Sequence, residues 1–512
     1  MSFSKHQKNL KVISFGIILT LLSCISPPKK SYKTISKGKF TMDQFIGANA
    51  FVDDPIDKLQ AVGFIREYHN WEWDDDGADY QGYPNNQMKW APGIWNFDTF
   101  YQGIKDAGLV ISPCIQGNVT WLYKGGLKHF DKPVDEANSN STDPLSYHKK
   151  AHHMYQFAAR YGSFAVADDK LTLAPNQPRS SGMSLIHYLE DWNEQNKNWE
   201  GKNAHFSPEE YAAMSSANYD GHEKKMSKGS GTFGIKNADP NIKFVMGGLA
   251  GLDLDYVKQM KSWFEKNRTD KKFAADVINF HTYGWKSKKG WEDGGPAKSP
   301  EESMFKEKLE EITAYRDKNL PGLEVWVSEF GWDTNPESPL CPPAIGTYDI
   351  QEVQGQWLVR SYLAFAAAGV DRAQMYMLRD VDPRSKIWYS SCGLVGPKGD
   401  WKPKKSWYYV YTLRNTLKNM VYAGEIPSGK PNVLVYKFRQ PGSKQFVYAV
   451  WANTSSGYQL NGYKLKVKGQ HKVASLTELS VGKTEGKTSK LTFENHELVF
   501  DVSERPVFLK LE

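Results

Sequence analysis

Cysteine is scarce in this chain, with four among 512 residues, and none stands in a CxxC pair or at zinc-site spacing. A Cys-ligated structural metal is therefore excluded, and neither a metal nor a cofactor is expected. No Gly-rich phosphate turn follows an early strand pattern, so a doubly wound dinucleotide-binding sheet lacks its anion cradle. Basic residues outnumber acids by 65 to 58 but form no block, and no nucleic-acid motif is present. No nucleic-acid partner is expected. Beyond the first two dozen residues no apolar run is long enough to span a bilayer. Repeats of solenoid or propeller length and extended low-complexity tracts are also missing.

Aromatic residues, by contrast, are plentiful: 17 Trp, 27 Tyr and 25 Phe. Such flat apolar faces build cores, and they also stack on sugar rings or bases, so their placement decides their meaning. Hydrophobic content of 40% and charge of 24% are ordinary for a globular protein of this length.

The first residues read as a leader. Lys5, Lys8 and Lys11 precede the short apolar run "VISFGIILTLL", which ends in "LLSC". That ending resembles a bacterial lipobox, with cleavage after residue 23 and lipid attachment to Cys24; a plain signal peptide or an uncleaved anchor is the alternative. Residues 24–40, polar and Pro-containing, read as a tether. The expectation is an exported lipoprotein held to a membrane through Cys24, in the periplasm or outer membrane of a Gram-negative bacterium. Cleavage would remove three Lys and no acid, taking the formal charge from +7 to +4. In an oxidising compartment Cys341 and Cys392, both in late loops, are the pair expected to bond, whereas Cys114 sits in an apolar run and reads as a buried thiol.

From residue 45 onward short β-rich runs alternate with helical patterns, the signature of parallel βα units. The runs are 45–51, 64–69, 109–116, 186–194, 243–249, 277–283, 325–330 and 373–379. Between them lie amphipathic candidates such as "FDTFYQGIKDAG", "SPEEYAAMSSANYDGHEKKM" and "IQEVQGQWLVRSYLAFAAAG". Eight such units predict a (β/α)8 barrel over residues 41–420, closed by a helix near 402–419. Beyond residue 421 strict alternation takes over, as in "NVLVYKFRQ" and "QFVYAVWAN", predicting a small antiparallel β-sandwich over 421–512.

In such a barrel, chemistry sits at the C-terminal strand ends. Glu194 ends the fourth run, "IHYLEDWNE", and Glu329 ends the seventh, "VWVSEF". These strands face one another across the mouth. A strand-end Glu alone is ordinarily solvated or salt-bridged. Two that meet can divide the work of glycosidic cleavage, one protonating the leaving oxygen and one attacking the anomeric carbon.

"EDWNEQN" and "VSEFGW" resemble the strand-four and strand-seven elements of the retaining glycoside hydrolases of clan A. The resemblance covers the barrel and implies Glu194 as general acid/base and Glu329 as nucleophile. It implies that Asn193 hydrogen-bonds the sugar 2-hydroxyl and that Tyr283, in "FHTYG" with His281, hydrogen-bonds the nucleophile. It further implies that Arg66 lies near the nucleophile. Gln195 departs from the clan, which usually has Pro there. From the residues alone, Tyr283 can also be read as packing at the mouth and Arg66 as a barrel ion pair with Glu190. The parity of Glu67 and His69 sets them on the opposite face from Arg66.

Eleven of the 17 tryptophans, Trp71, Trp73, Trp90, Trp95, Trp121, Trp199, Trp285, Trp291, Trp332, Trp388 and Trp401, follow a strand on this strand map. That gathering suits a sugar cleft, with Trp71, Trp73, Trp285 and Trp332 as candidates to touch substrate. Three further motifs read as bland: "DDDGAD" as a polar loop that fails the calcium pattern, "HKKAHHM" as a solvated helix face, and "KKMSKGSG" as a charged loop.

The expected function is β-glycosidic hydrolysis of a polysaccharide or oligosaccharide by double displacement, endo-acting by its long Trp-rich loops. An exo-β-glycosidase, a transglycosylase or a non-catalytic glycan-binding lipoprotein would use the same barrel. Retaining geometry calls for carboxyls about 5–5.5 Å apart, inverting geometry for about 6.5 Å or more.

Overall fold

A computed structural model describes residues 40–75, 87–90, 95–123, 128–136, 139–227, 231–285, 297–467, 473–494 and 497–511. The expected leader, Cys24, nearly all of the expected tether and Trp291 lie outside the described residues.

Eight parallel strands close into a barrel in chain order: β1 Ile46–Ala50, β2 Phe64–Asn70, β3 Val110–Gln116, β4 Tyr188–Asn193, β5 Lys243–Ala250, β6 Val277–His281, β7 Glu324–Glu329 and β8 Arg372–Met375. Each coincides with an expected run to within a few residues. Between β2 and β8 they alternate with helices Phe97–Asp106, His148–Tyr161, Pro208–Asp220, Leu254–Asn267, Phe305–Asn319 and Ile350–Ala367, and Lys405–Thr416 follows β8. Local chemistry sets their ends. Ser207 and Glu210 form a reciprocal capping box ahead of Pro208, and Asp349 with Glu352 does the same. The helix after Ser207 stops at Asp220, short of the expected 226, because Gly221 takes up φ of 67° and the next three residues also have positive φ.

Inside the barrel the side chains stack in layers. Phe64, Tyr188, Val245, Val277 and Trp326 make an apolar floor, with the Arg372 guanidinium 4.3 Å from the Phe64 ring centroid and 5.1 Å from that of Tyr188. Above the floor is a polar layer centred on Glu190, which takes two bonds from Arg66 and one from Asn279. The catalytic candidates stand above that.

The helix His148–Tyr161 corrects one expectation. Its Lys150 and His153 are fully buried, not solvated. His153 Nε2 lies 3.0 Å from Asp74 Oδ2, and His69 Nε2 lies 2.7 Å from Asp74 Oδ1. Asp74, from the motif read as a polar loop, thus ties β2 to this helix. Glu67 and His69 do face away from Arg66, and the Tyr101 hydroxyl donates to Glu67 Oε2 at 2.8 Å.

After the barrel come β9 Val421–Glu425, β10 Val433–Arg439, β11 Phe446–Ala452, β12 Gln459–Lys466, β13 Val473–Glu478, β14 Lys487–Thr492, β15 Glu497–Ser503 and β16 Val507–Leu511. Six form one antiparallel sheet in the order β14-β13-β16-β11-β10-β9, and β12 pairs with β15 in a second. Val435, Val450, Leu465, Leu498, Phe500 and Leu509 fill the space between the sheets. The other face of the larger sheet, with Tyr436, Phe438, Val447, Trp451 and Phe508, joins the barrel's own core. Among the described residues no helix is long and apolar enough to cross a membrane.

Candidate active site

The end of β4 abandons regular alternation. Trp192 has φ of 79° and Glu194 φ of 50°, left-handed values that ordinarily cost about 1–3 kcal/mol for a side-chain-bearing residue. This kink brings Asn193 to Arg66, the residue that Glu190 also meets, although the two are three positions apart. The Glu194 backbone N–H donates to the Gly248 carbonyl at 2.9 Å, anchoring the turned residue to β5. Gly248 itself is required: a Cβ there would collide with the His281 imidazole.

His281, at the end of β6, stands between the two acids. Its Nδ1 lies 2.9 Å from Glu194 Oε1, while Nε2 lies 3.1 Å from Ser328 Oγ and 3.4 Å from Glu329 Oε1. Glu329 is 6% exposed and sits among donors. Arg66 Nη1 donates to its Oε1 at 2.9 Å, the Tyr68 hydroxyl donates to the same oxygen, and the Tyr283 hydroxyl donates to Oε2 at 2.9 Å. Burial, followed by the charge of Glu329, pushes both phenols well above the ordinary tyrosine range. They are therefore fixed O–H donors aimed at the carboxylate.

Arg66 fulfils both readings at once. Nε and Nη2 grip Glu190 at 2.7 and 2.9 Å, Nη1 reaches Glu329, and Nη2 also donates to Asn193 Oδ1 at 2.8 Å. Asn193 Oδ1 is thereby taken, leaving its Nδ2 with no protein acceptor among the described residues. Glu194 feels opposed forces. Burial pushes its carboxyl up, but the bond and charge of His281, then Lys197 and Arg66, hold it below the usual carboxylate range.

Tyr68 escaped the sequence reading, although it shares the inward parity of Arg66 in "FIREYH". It begins an aromatic wall. Tyr376 lies 6.1 Å from Tyr68, Tyr389 lies 5.9 Å from Tyr376 and 4.8 Å from Tyr283, and Trp388 lies 6.2 Å from Tyr389. Trp285 packs at 5.5 Å from Trp388, and both are half-buried.

The other candidate tryptophans fare differently. Trp71 and Trp332 are fully buried, their indole N–H groups spent on Asp75 Oδ2 and the Lys298 carbonyl, so neither can reach a solute. Trp73 is half-buried and packs on Trp95 and His69. Much of the tryptophan gathering therefore fastens loops to the barrel. The expected disulfide is corrected as well: Cys341 and Cys392 are free thiols. Each has turned to a local carbonyl, of Pro342 and Tyr389 respectively, instead of to the other.

Glu194, His281 and Glu329 each present a ligand-type atom within 4.8 Å of the other two, the one such group among the described residues. Three strong donors already face Glu329, one of them a guanidinium, which makes this a poor place for a cation.

The architecture is a (β/α)8 barrel with an appended β-sandwich, and the chain shares its fold with solved glycoside hydrolases. One is a family 39 glycoside hydrolase from the gut symbiont Bacteroides cellulosilyticus WH2, 16% identical with a TM-score of 0.59 over 93% of this chain and 82% of that one. A GH30 endoxylanase from Clostridium papyrosolvens C71 is 10% identical, TM-score 0.53, over 92% and 96%. An alpha-L-arabinofuranosidase from Thermotoga maritima is 13% identical, TM-score 0.51, over 92% and 97%. No protein-family model matches the chain. No curated protein matches its sequence. At these identities the likeness establishes the fold, and the site stands on its own geometry.

Proposed function

We propose that this chain is a retaining glycoside hydrolase that cleaves β-glycosidic bonds in a polysaccharide or oligosaccharide by double displacement. The observation that carries the reading is the meeting of Glu194 and Glu329 across one opening, a carboxylate oxygen of each within 4.8 Å of the other. That closeness supports the retaining arrangement, in which the carboxyls stand approximately 5–5.5 Å apart.

The roles follow from the surroundings. Glu329, aimed by its bonds from Arg66, Tyr68 and Tyr283, attacks the anomeric carbon. Glu194 gives its proton to the departing oxygen, then takes one from the water that releases the sugar from Glu329. Substrate entering the cleft strips water from Glu194, which favours the protonated acid needed at the start. The unspent Nδ2 of Asn193 suits a sugar 2-hydroxyl beside the reacting carbon.

Endo action is supported by the half-buried Trp285 and Trp388 on the β6 and β8 loops and by Trp199, 45% exposed, on the β4 loop. Such indole rings on three loops that follow barrel strands suit stacking on the faces of several sugars. The leader and lipobox support export and anchoring through Cys24. The test is hydrolysis of a panel of β-linked xylans, glucans and galactans, with product sizing and anomer detection by NMR. A retained anomer and internal cuts are expected; new glycosides formed with an added acceptor sugar would instead mark a transglycosylase. Normal hydrolysis by both Glu194→Ala and Glu329→Ala would overturn the assignment.

A further inference from the structure

The β4 loop carries a basic side chain to which the roles above give no task. Lys197 is 5% exposed, its Nζ donates to the Asn193 carbonyl at 3.2 Å, and the centroid of the Phe130 ring lies 4.6 Å away. An ammonium removed from water ordinarily ends on a carboxylate, because its desolvation costs several kcal/mol. Lys197 does not: among the described residues no acid lies within ion-pair distance of it. The carboxylate whose charge acts on it most strongly is Glu194.

We propose that Lys197 is a positioning residue that controls the protonation of Glu194 through the catalytic cycle, its charge held near the carboxylate but off it by the Asn193 carbonyl and the Phe130 ring. The inference rests on the reading of Glu194 as acid/base. Its logic lies in the second oxygen of that residue. Oε1 is occupied by His281, while Oε2 has no protein partner among the described residues and is left for the leaving oxygen and later for water. A direct Lys–Glu ion pair would block that oxygen. A cation at a remove lowers the energy of the carboxylate without touching it.

The other groups acting on Glu194 cannot supply this. Arg66 is committed to Glu190, Glu329 and Asn193, and His281 is in direct contact. Glu329 is itself an acid, and Tyr376 and Tyr389 are phenols raised by burial. Among the described residues, Lys197 is the one basic group acting on Glu194 that has no carboxylate contact. Its field matters in the second step by keeping Glu194 ionised down to lower pH, so that a carboxylate is there to act. Glu194 has then given up its proton to the leaving oxygen, and its carboxylate must accept another from the attacking water as the sugar–Glu329 ester bond breaks.

The test uses the full chain. In Lys197→Met, the alkaline limb of kcat/KM on a β-glycoside with a poor leaving group should move up by about 1 pH unit. With an aryl glycoside, whose slow step is breakdown of the glycosyl-enzyme and needs Glu194 ionised, the acid limb of kcat should also move up by about 1 pH unit. Lys197→Arg should restore both. A folded Lys197→Met that is slower with an unmoved limb overturns the proposal in favour of a merely structural lysine. Should that variant not fold, Phe130→Ala keeps the charge but opens it to water. A smaller alkaline displacement there supports the proposal, and none overturns it. Glu194→Ala separates the two claims: it should abolish the limb altogether, and a limb surviving in it would sink the acid/base reading and this inference with it.

Discussion

Arg66 and Glu329 form a buried ion pair, Nη1 to Oε1 at 2.9 Å, and the opposite edge of the same guanidinium clamps Glu190. One cation thus serves the floor of the site and its reactive carboxylate together. Removing it strands two acids inside the barrel. Arg66→Ala should cost about 3–5 kcal/mol of stability, visible in denaturant titration, in addition to loss of turnover. Lysine cannot reproduce the fork, so Arg66→Lys should recover only part of either.

The two phenols on Glu329 can be removed with little change of shape. Tyr68→Phe and Tyr283→Phe each delete one hydrogen bond to a charged group, about 1.5–3 kcal/mol. Each should lower kcat/KM by roughly 10–100-fold. Melting temperatures close to the parent's would distinguish this from misfolding.

Glu194 and Glu329 should respond differently to the leaving group. Glu329→Ala should leave no measurable hydrolysis of any substrate. Glu194→Ala should lose about 10²–10⁴-fold on natural glycosides but far less on substrates with good leaving groups, for which protonation matters little. Steady-state kinetics on a series of aryl glycosides reads this directly.

The pH profile follows from the depressed carboxyl of Glu194. The first step needs that group protonated, and a lowered pKa means the proton is lost early as pH rises. Activity on poor leaving groups should therefore peak on the acid side of neutrality and decline through neutral pH. An optimum well above pH 8 would contradict the direction.

The buried group around Asp74 makes stability pH-dependent. Burial alone would push His69 down, but Asp74 and then Glu67 outweigh it and lift it to about 10. A histidine raised above its unfolded value of about 6.5 contributes fully below that pH, and the contribution is lost as pH climbs toward 10. Thermal melting should show a decline between those values that is flattened in His69→Gln. Asp74→Ala should be strongly destabilising at neutral pH because it leaves His69 and His153 without their shared partner.

The barrel was legible because each strand is a short apolar run bounded by turn residues, and the acids because strand ends are where a barrel exposes chemistry. What stayed hidden depends on contacts distant in sequence. His153 and Lys150 read as a wet helix face until Asp74, 79 positions before His153, is seen to meet it. The inward turn of Asn193 needs the positive φ of Trp192, which no periodicity announces. Trp71 and Trp332 follow strands as a cleft residue should, but sequence cannot tell a loop that opens from one that folds back. Strands β9 and β13 leave little trace in the sequence because "VYAGE" and "VASLTE" are short and weakly alternating.

The six-stranded sheet buries apolar residues on both faces, against β12 and β15 on one side and the barrel on the other. Trp451 reaches across to Glu301, which Arg360 of the barrel helix Ile350–Ala367 also holds. Inheritance of the two parts is therefore coupled: a gene cut near the end of the barrel would unclothe greasy helices, and shuffling this sandwich onto another catalyst would need the matching helical surface to travel with it.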